Sequence, residues 1–318
     1  MRTRRALLDA LADGPVSGPE LAADLDVSRA AVWKAVESLR EEGFLVESTN
    51  EGYVAPADPP YTAAGIAFGL DAPYRVEHHE TLDSTNARAR ELALADDTDT
   101  ADLVVVADEQ RTGRGRLRRE WRSPSGGVWV SILTRPSLST AHAPVCTLAA
   151  AVATADACRE AGVEAHIKWP NDVLVGEGGE RGGRKVAGIL TEMQGEADRV
   201  SWLVVGIGVN ANVEPEELPS GATSLAEERG ESVDRRRLLQ RILERYHRLV
   251  TEPDRILDAW RERTSTLGAR VRVDMGGETV EGRAIDVEFP GTLVVETDDG
   301  HRRRVHAGDC EHLRPASR

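Results

Sequence analysis

Lysine, cysteine and aromatic residues are all scarce in this chain of 318 residues. Its three cysteines, Cys146, Cys158 and Cys310, are too few and too scattered for a disulfide framework or a cysteine metal site. The first two fall at helical positions, where a small buried residue is expected. No apolar run approaches the ~20 residues that a bilayer requires, and the N-terminus does not resemble a signal peptide. We therefore expect a globular, multidomain cytoplasmic protein with no membrane association.

The chain is strongly acidic, since 54 Asp and Glu against 40 Lys and Arg give a formal net charge of -14. In dilute salt this excess would destabilise the fold by self-repulsion, whereas a high-salt cytoplasm would screen it. We infer a halophilic source, such as a haloarchaeon. Three of the basic residues are lysines, Lys34, Lys168 and Lys185, and the others are arginines. A lysine that persists against this bias indicates a place where a compact ammonium is needed.

Residues 1–56 have the pattern of a winged helix-turn-helix. After a first leucine-rich helix, Ser17-Gly18-Pro19-Glu20 has the spacing of a capping box. Ser28 then caps a third helix, whose apolar positions share one face and leave the opposite face free for a DNA major groove. Two short apolar stretches, 44–46 and 52–54, flank a polar tip and predict a two-stranded wing.

The outward face of the third helix, with its cap, is the candidate DNA-binding surface and comprises Ser28, Arg29, Trp33 and Lys34. The charge of this region argues against DNA binding. Met1–Asp58 contains 6 basic and 11 acidic residues, whereas a protein that binds nucleic acid usually has a basic surface patch. In multimolar salt, however, counterion release contributes little, so base-edge contacts and shape would supply more of the affinity. The alternative is a protein-interaction or vestigial winged helix.

The stretch from Gln110 to Trp121 lies between an apolar strand and a cluster of turn formers. Its glycines let the backbone approach a ligand closely, while Arg114 and Arg116 can each bind an oxyanion with two hydrogen bonds. Taken alone, the stretch is equally compatible with a solvated basic loop. Ser84-Thr85-Asn86 precedes a predicted helix and is interpreted either as its cap or as a set of polar ligand groups.

Two of the three lysines, Lys168 and Lys185, fall within one apparent hairpin. Together with the arginines of the Gly/Arg stretch they would form a cationic site. Asn171 and Asp172, directly after the first lysine, suit a magnesium ion or its waters. Such a grouping fits a reaction between two anions, for example attack of a carboxylate on the α-phosphate of ATP.

The chain changes character after Leu267, where short alternating strands are separated by glycine, proline and aspartate turns. We predict strands at 271–273, 279–287, 292–296 and 301–306, closing into a small barrel. The proline-rich segment 57–60 is a candidate linker. The predicted domains are therefore 1–56, 61–265 and 266–318.

Five motifs in this order resemble those of the biotin protein ligase family: Ser84-Thr85-Asn86, Gln110 with Gly113-Arg114-Gly115-Arg116, Lys168-Trp169-Pro170-Asn171-Asp172, Lys185-Val186-Ala187-Gly188-Ile189-Leu190 and Gly206-Ile207-Gly208-Val209-Asn210. With the winged helix in front, the chain resembles the bifunctional members, which are also biotin operon repressors. The resemblance implies an α+β multidomain fold. It would comprise an N-terminal winged helix-turn-helix, a central class II synthetase-like α/β catalytic domain with a mixed sheet, and a C-terminal SH3-like β-barrel.

The resemblance also implies roles for individual residues. Biotin would be bound by Ser84, Thr85, Asn86, Gln110, Arg114, Gly115, Arg116 and Lys185. ATP and the adenylate would be bound by Lys168, Trp121, Asn171, Asp172 and Asn210. Lys185 and Arg116 would be catalytic, and Asp172 would contact the Mg²⁺ of the nucleotide, with no tightly bound metal. The chain departs from the usual family loop at Arg118, where glycine is common, which affects the expected shape of the closed loop.

The implied activity is that of an ATP-dependent ligase that forms biotinyl-5′-AMP and transfers biotin to a lysine of a biotin carboxyl carrier protein domain. The implied partners also include operator DNA and, after ligand binding, a second copy of the chain. Two alternatives remain open at this point: a lipoate-type acyl ligase, and a biotin-sensing repressor without catalysis.

Overall fold

The computed structural model describes residues 2–95, 102–176, 182–196 and 198–313. It divides into two compact units, Met1–His78 and His79–Arg318, each with a hydrophobic core of its own. Most of the predicted glycine-rich turn at 176–183 lies outside the described residues, and so does the side chain of Arg118.

The N-terminal unit contains α1 (Arg2–Ala12), α2 (Gly18–Asp24), α3 (Arg29–Glu41), β1 (Glu47–Thr49), β2 (Gly52–Val54) and α4 (Ala63–Ala67). The predicted capping box is present at α2, where Ser17 and Glu20 each accept a backbone N–H from the other. Ser28 caps α3 by accepting from the Ala31 N–H. Leucines and valines from the three helices bury one core, and the predicted helix-turn-helix is observed.

The wing differs in register from the prediction. Its first strand is β1 at Glu47–Thr49, three residues later than the predicted 44–46, and Thr49 pairs with Gly52 across a tight turn. Phe44 and Val46 are almost completely buried in the helical core instead. Their alternating apolar pattern therefore reflects burial against the helices. The exposed polar residues that follow, Glu47–Thr49, pair with β2 instead.

The second unit is built on a sheet of β3 (Arg75–Leu82), β4 (Leu103–Gln110), β5 (Val128–Thr134), β6 (Ala165–Lys168), β7 (Asp172–Val175), β8 (Arg184–Glu196) and β9 (Arg199–Val209). The strand order is β3-β4-β5-β9-β8-β7-β6. The pairings from β4 to β6 are antiparallel. Just past β3 and β4, the N–H groups of Arg111 and Thr112 donate to the carbonyls of Leu82 and Asp83, so these segments advance in the same direction. The sheet is mixed, as predicted.

In the described part of this unit, five α-helices accompany the sheet: α5 (Thr85–Leu94), α6 (Pro144–Glu160), α7 (Leu225–Arg229), α8 (Arg235–Thr251) and α9 (Ile256–Arg263). The alanine-rich α6 packs against the sheet, α8 and α9. The segment Thr140–Glu160 has the length and composition of a membrane-spanning helix, so the expectation that no apolar run approached this length was wrong. Since 72% of its most apolar window is buried inside the protein, it also fits the core helix of a globular domain.

The C-terminal strands are β10 (Arg270–Asp274), β11 (Thr279–Glu288), β12 (Thr292–Glu296), β13 (Arg302–Val305) and β14 (Asp309–His312). They form an antiparallel sheet in the order β13-β12-β11-β10-β14. The predicted closed barrel is not confirmed, because within the described residues no ladder joins β13 to β14. Arg302, Arg303 and Arg304 are exposed along β13, and charged side chains of this kind oppose further pairing.

Candidate active site and DNA-binding surface

A cavity of about 690 Å³ lies over one end of the central sheet. Its walls come from the sheet, from the Gly/Arg stretch and from β14. It is lined by all thirteen residues predicted to contact biotin or nucleotide: Ser84, Thr85, Asn86, Gln110, Arg114, Gly115, Arg116, Trp121, Lys168, Asn171, Asp172, Lys185 and Asn210. The fold therefore brings motifs that are far apart in sequence into one site.

The first motif both caps a helix and faces the cavity. Ser84 Oγ accepts from the Ala87 N–H at the start of α5, which is the structural role that the sequence left open. Thr85 and Asn86, in the first turn, line the cavity yet are only 3% and 7% exposed. Gln110 fixes this turn, because its Oε1 accepts from the Thr85 N–H at 2.8 Å while its Nε2 donates to Ser123 Oγ at 2.8 Å.

Lys185 is held between an anion and an aromatic ring. Its Nζ lies 2.5 Å from Asp172 Oδ1 and 4.9 Å from the centre of a Trp121 ring. Both contacts stabilise a cation, and the second keeps a π face next to the ammonium group. Lys168, on β6, is 6% exposed and reaches the same cavity. The two lysines predicted to share a site therefore line the same cavity.

Arg116 connects the Gly/Arg stretch to two other segments. Its Nη1 donates to Asn171 Oδ1 at 3.1 Å and its Nη2 donates to the Gly308 carbonyl at 3.0 Å. Burial lowers the pKa of Arg116, while the carboxylates of Asp309 and Asp172 act in the opposite direction. An arginine keeps its charge under such a shift, so the site retains a desolvated cation suited to an oxyanion. Arg114, by contrast, is exposed.

Trp121 lies on a floor made of two paired glycines. Gly188 of β8 is directly opposite Gly208 of β9 in the sheet. A Cβ atom on Gly208 would be 2.7 Å from the indole Nε1, and one on Gly188 would be 3.1 Å from the ring. Any larger residue at either position would displace the indole. The indole Nε1 is buried against this floor and has no hydrogen-bond partner among the described residues.

The strand β14 contributes to the cavity in a way that the sequence did not predict. Asp309, Cys310 and Glu311 line the cavity, and Arg119 forms an ion pair with Asp309 at 2.5 Å. No motif pointed to these residues, since they touch the site only because β14 pairs with β10. Four further lining residues were not predicted either: Leu218, Pro219, Ser220 and Ala222.

The cysteines are not candidate nucleophiles. Burial raises the pKa of Cys146 to about 11 and that of Cys158 and of Cys310 to about 12. All three thiols are therefore protonated at neutral pH, and all three are free and buried, which was predicted for Cys146 and Cys158. Within the described residues, no group of three or more His, Cys, Asp or Glu side chains could hold a metal ion.

The N-terminal unit presents the predicted face of α3 to solvent. Val32, Val36 and Leu39 are buried, whereas Arg29 and Lys34 are exposed and Trp33 is 58% exposed. Trp33 therefore lies on the outward face of α3 between Arg29 and Lys34, as the helical spacing predicted. Arg40 instead supports the wing, donating to the Val46 carbonyl at 2.8 Å and to Ser48 Oγ at 2.9 Å.

Comparison with known proteins covers each part of the chain. Residues 79–210 match the biotin/lipoate A/B protein ligase family, residues 3–54 match an HTH domain, and residues 266–313 match the biotin protein ligase C-terminal domain. The bifunctional ligase/repressor BirA of Bacillus subtilis is 37% identical over 314 residues, which cover 93% of each chain.

Two further relatives are named as biotin ligases. The biotin–[acetyl-CoA-carboxylase] ligase of Mycobacterium tuberculosis is 34% identical over 246 residues, covering 73% of this chain and 86% of that one. The biotin protein ligase of Aquifex aeolicus, solved with biotin and ATP, superposes with a TM-score of 0.62 at 26% identity, covering 75% of this chain and 99% of that one. The chain belongs to the biotin protein ligase family, in the form with an N-terminal HTH domain that is typical of bifunctional ligase/repressors.

Proposed function

We propose that this chain is an ATP-dependent biotin protein ligase that also represses biotin genes. The observation that carries the ligase proposal is the cavity, which joins the cations Arg114, Arg116, Lys168 and Lys185 to the polar groups of Thr85, Asn86 and Gln110. Cations suit a carboxylate and phosphates, and the polar groups suit a ureido ring. Relatives that match the whole chain are named ligase/repressors, which supports both parts of the proposal.

The cavity provides two subsites. Biotin would occupy the part formed by Ser84, Thr85, Asn86, Gln110, Arg114, Gly115, Arg116 and Lys185, with its ureido ring towards α5 and its carboxylate towards the lysine. The nucleotide would occupy the part formed by Lys168, Trp121, Asn171, Asp172 and Asn210. Lys185 lies at the junction of the two subsites and would contact both reacting groups.

The reaction proceeds in two steps. The biotin carboxylate attacks the α-phosphorus of ATP, the bond to the β-phosphate oxygen breaks, and pyrophosphate leaves. Lys185 and Arg116 offset the repulsion between the anions and stabilise the charge that develops on the phosphate. The ε-amine of the carrier lysine then attacks the acyl carbon of biotinyl-5′-AMP, loses a proton and releases AMP. The Gly/Arg stretch protects this reactive anhydride from water when it covers the cavity.

Magnesium would enter with the nucleotide. Asp172 would be a carboxylate that contacts it, in keeping with the preference of Mg²⁺ for one or two carboxylates together with phosphates and water. The carboxylate already pairs with Lys185 through Oδ1. Bound magnesium would supply charge neutralisation to the phosphates, and its protein contacts would be few.

The ligase proposal is tested by supplying biotin, ATP and a biotin carrier domain in multimolar KCl. We expect pyrophosphate release that depends on biotin, followed by labelling of one lysine of the carrier. Lipoic acid in place of biotin distinguishes the lipoate-type alternative. Adenylation of lipoic acid in preference to biotin, or biotin binding without pyrophosphate release, would contradict the proposal.

The repressor proposal rests on the exposed face of α3. Ser28, Arg29, Trp33 and Lys34 would contact operator DNA, with Trp33 providing apolar contact to base edges where counterion release is weak. Fluorescence anisotropy with DNA from upstream of biotin genes tests this in multimolar KCl, with and without biotin plus ATP. We expect specific binding that strengthens when the adenylate forms and is lost in Trp33→Ala. Absence of specific binding in both states would refute a repressor.

We further propose a ligand-promoted homodimer, a cytoplasmic location and a halophilic source such as a haloarchaeon. The net charge of -14 supports the source. The functional domains would be 1–56, 61–265 and 266–318, with the last resembling an SH3-like fold. Sedimentation in multimolar KCl with and without biotin and ATP would test the dimer.

A further inference from the structure

A chain of hydrogen bonds runs behind the cavity wall, from Arg90 to Thr85. Arg90 Nη1 donates to Glu192 Oε1 at 3.2 Å, and Asn86 Nδ2 donates to Glu192 Oε2 at 2.7 Å. Ser131 Oγ lies 2.6 Å from Asn86 Oδ1 and 2.8 Å from Thr85 Oγ1. Ser131 is fully buried, so water cannot replace these partners in the middle of the chain. Neither Ser131 nor Glu192 lines the cavity.

Glu192 determines which way the Asn86 amide points. A carboxylate at neutral pH only accepts hydrogen bonds, so Asn86 must turn its Nδ2 towards Glu192. The same Nδ2 lies 3.4 Å from the Leu190 carbonyl, a second group that only accepts. The amide oxygen therefore points at Ser131.

Ser131 transmits this constraint to Thr85. Its hydroxyl has one proton, and Asn86 Oδ1 can only accept, so the proton goes to Asn86. Ser131 Oγ, 2.8 Å from Thr85 Oγ1, then has no proton left to donate to it. The Thr85 proton itself goes to one of its two acceptors, Ser131 Oγ or Gln110 Oε1. Gln110 Oε1, 3.1 Å from Thr85 Oγ1, still accepts from the Thr85 N–H at 2.8 Å. Thr85 Oγ1 thus presents lone pairs, and no proton, to the cavity.

We propose that Glu192 is a positioning residue that fixes the direction of this chain, so that Thr85 Oγ1 accepts a hydrogen bond from an N–H of the bound ligand. The inference rests on the proposed function, since the ureido ring of biotin supplies such an N–H. Glu192 acts through Asn86 and Ser131 and does not touch the ligand itself. Glu192 therefore favours a ligand that donates a hydrogen bond to Thr85 Oγ1, and it does not affect the nucleotide subsite.

The test compares Glu192→Ala, Glu192→Gln and the wild type by biotin-dependent pyrophosphate release. Loss of one correctly directed hydrogen bond is expected to raise KM for biotin about tenfold in Glu192→Ala, with KM for ATP and kcat almost unchanged. Glu192→Gln keeps an oxygen that can accept from Asn86, and should restore most of the biotin affinity. Ser131→Ala breaks the chain at its middle and should reproduce the effect of Glu192→Ala.

Glu91→Gln is the matched control, since Glu91 is an exposed carboxylate on α5 that pairs with Arg88 outside this chain. It should have wild-type constants. An unchanged KM for biotin in Glu192→Ala and Ser131→Ala, or equal increases in both KM values, would overturn the inference. An inactive wild type would instead count against the ligase proposal, so the two failures are distinguishable. If Glu192→Ala does not fold, Glu192→Gln and Ser131→Ala decide the matter.

Discussion

The wall of the cavity formed by the sheet and the wall formed by the Gly/Arg stretch satisfy their polar groups in different ways. The sheet wall is defined as Thr85 and Asn86 of α5 and Lys185 of β8, with Ser131 of β5 directly behind them. Thr85, Asn86 and Ser131 are buried and are joined by hydrogen bonds. The loop wall, Arg114–Trp121, is mostly exposed and is held by contacts with Asn171, Gly308 and Asp309.

This difference indicates which wall has a fixed conformation before a ligand binds. Rotating a buried side chain of the sheet wall leaves donors and acceptors unpaired, whereas Arg119 and Asp309 form an exposed ion pair that water can replace at little cost. Leu117 is 73% exposed and has a φ of 55°, a left-handed conformation that a leucine rarely adopts. The sheet wall is suited to recognition and the loop wall to rearrangement.

The largest expected effect is that of Lys185→Ala, at the point where the two walls meet. Removing this ammonium should lower kcat for adenylate formation about 100-fold or more, because it stabilises charge that develops at the phosphate. Single-turnover formation of biotinyl-5′-AMP is the measurement, and circular dichroism checks the fold. Lys34→Ala, which removes an exposed lysine from α3, should leave the rate unchanged. Near-normal pyrophosphate release in Lys185→Ala would remove Lys185 from the mechanism.

Asn86→Ala should show that the sheet wall contributes to stability. It leaves Ser131 and Glu192 without their partner, so we expect the free energy of unfolding to fall by about 1–3 kcal/mol. Denaturant unfolding at constant high salt measures this, with Asn50→Ala at the exposed wing tip as control. Equal stability of Asn86→Ala and the wild type would mean that the sheet wall is no more fixed than the loop wall.

Protonation of His312 tests how much β14 contributes to stability. This strand carries Asp309, the partner of Arg119 in the loop wall. Burial, helped by the charges of Lys168 and His166, lowers the pKa of His312 to about 4, against ~6.5 in an unfolded chain. The unfolded state then binds the proton more readily, so stability is highest above pH ~6.5 and declines as the pH falls towards 4. After allowance for the partial exposure of His312, the free energy of unfolding should fall by about 2 kcal/mol over this range.

Unfolding curves from pH 7 to pH 4 measure this dependence in the wild type and in His312→Gln, which should show a flatter profile. His301→Gln, at an exposed histidine, should retain the wild-type profile. A wild-type slope that survives in His312→Gln would assign the pH dependence to other groups.

The smallest expected effect is that of Arg119→Ala on the loop wall. Its ion pair with Asp309 is exposed on both sides, so the free energy of unfolding should change by less than ~1 kcal/mol. KM for biotin should rise no more than about fivefold, which is what a loss of that size allows. Arg111→Ala, at an exposed arginine just before this stretch, serves as the control. A loss of stability as large as that of Asn86→Ala would erase the distinction between the walls.

Short motifs at strand and helix ends could be read from the sequence because their chemistry is local. Thr85, Lys168 and Lys185 each stand next to a recognisable element boundary, and all three line the cavity. Glu192 and Ser131 could not be found in this way. Ser131 lies in an otherwise apolar strand, and the neighbouring sequence does not indicate its hydrogen-bond partners. Glu192 accepts a hydrogen bond from Asn86, which is 106 positions away in the sequence.

The missed strand and the shifted wing have similar causes. β14 has the sequence Asp-Cys-Glu-His, with no β-branched or aromatic residue, and becomes a strand because β10 offers an edge to pair with. Phe44 and Val46 have the alternation of a strand but are buried by the helices of their unit. In both places tertiary contacts override local preference.

The position of Trp121 on its glycine floor makes this residue an optical reporter of the site. Of the six tryptophans, Trp33 is exposed on α3 and Trp129, Trp169, Trp202 and Trp260 are buried, whereas Trp121 alone lines the cavity. Its indole lies 4.9 Å from an ammonium, a quenching charge whose distance changes when ligands enter. Intrinsic fluorescence should therefore report occupancy without a label, and Trp121→Phe should abolish the signal while the other five tryptophans continue to emit.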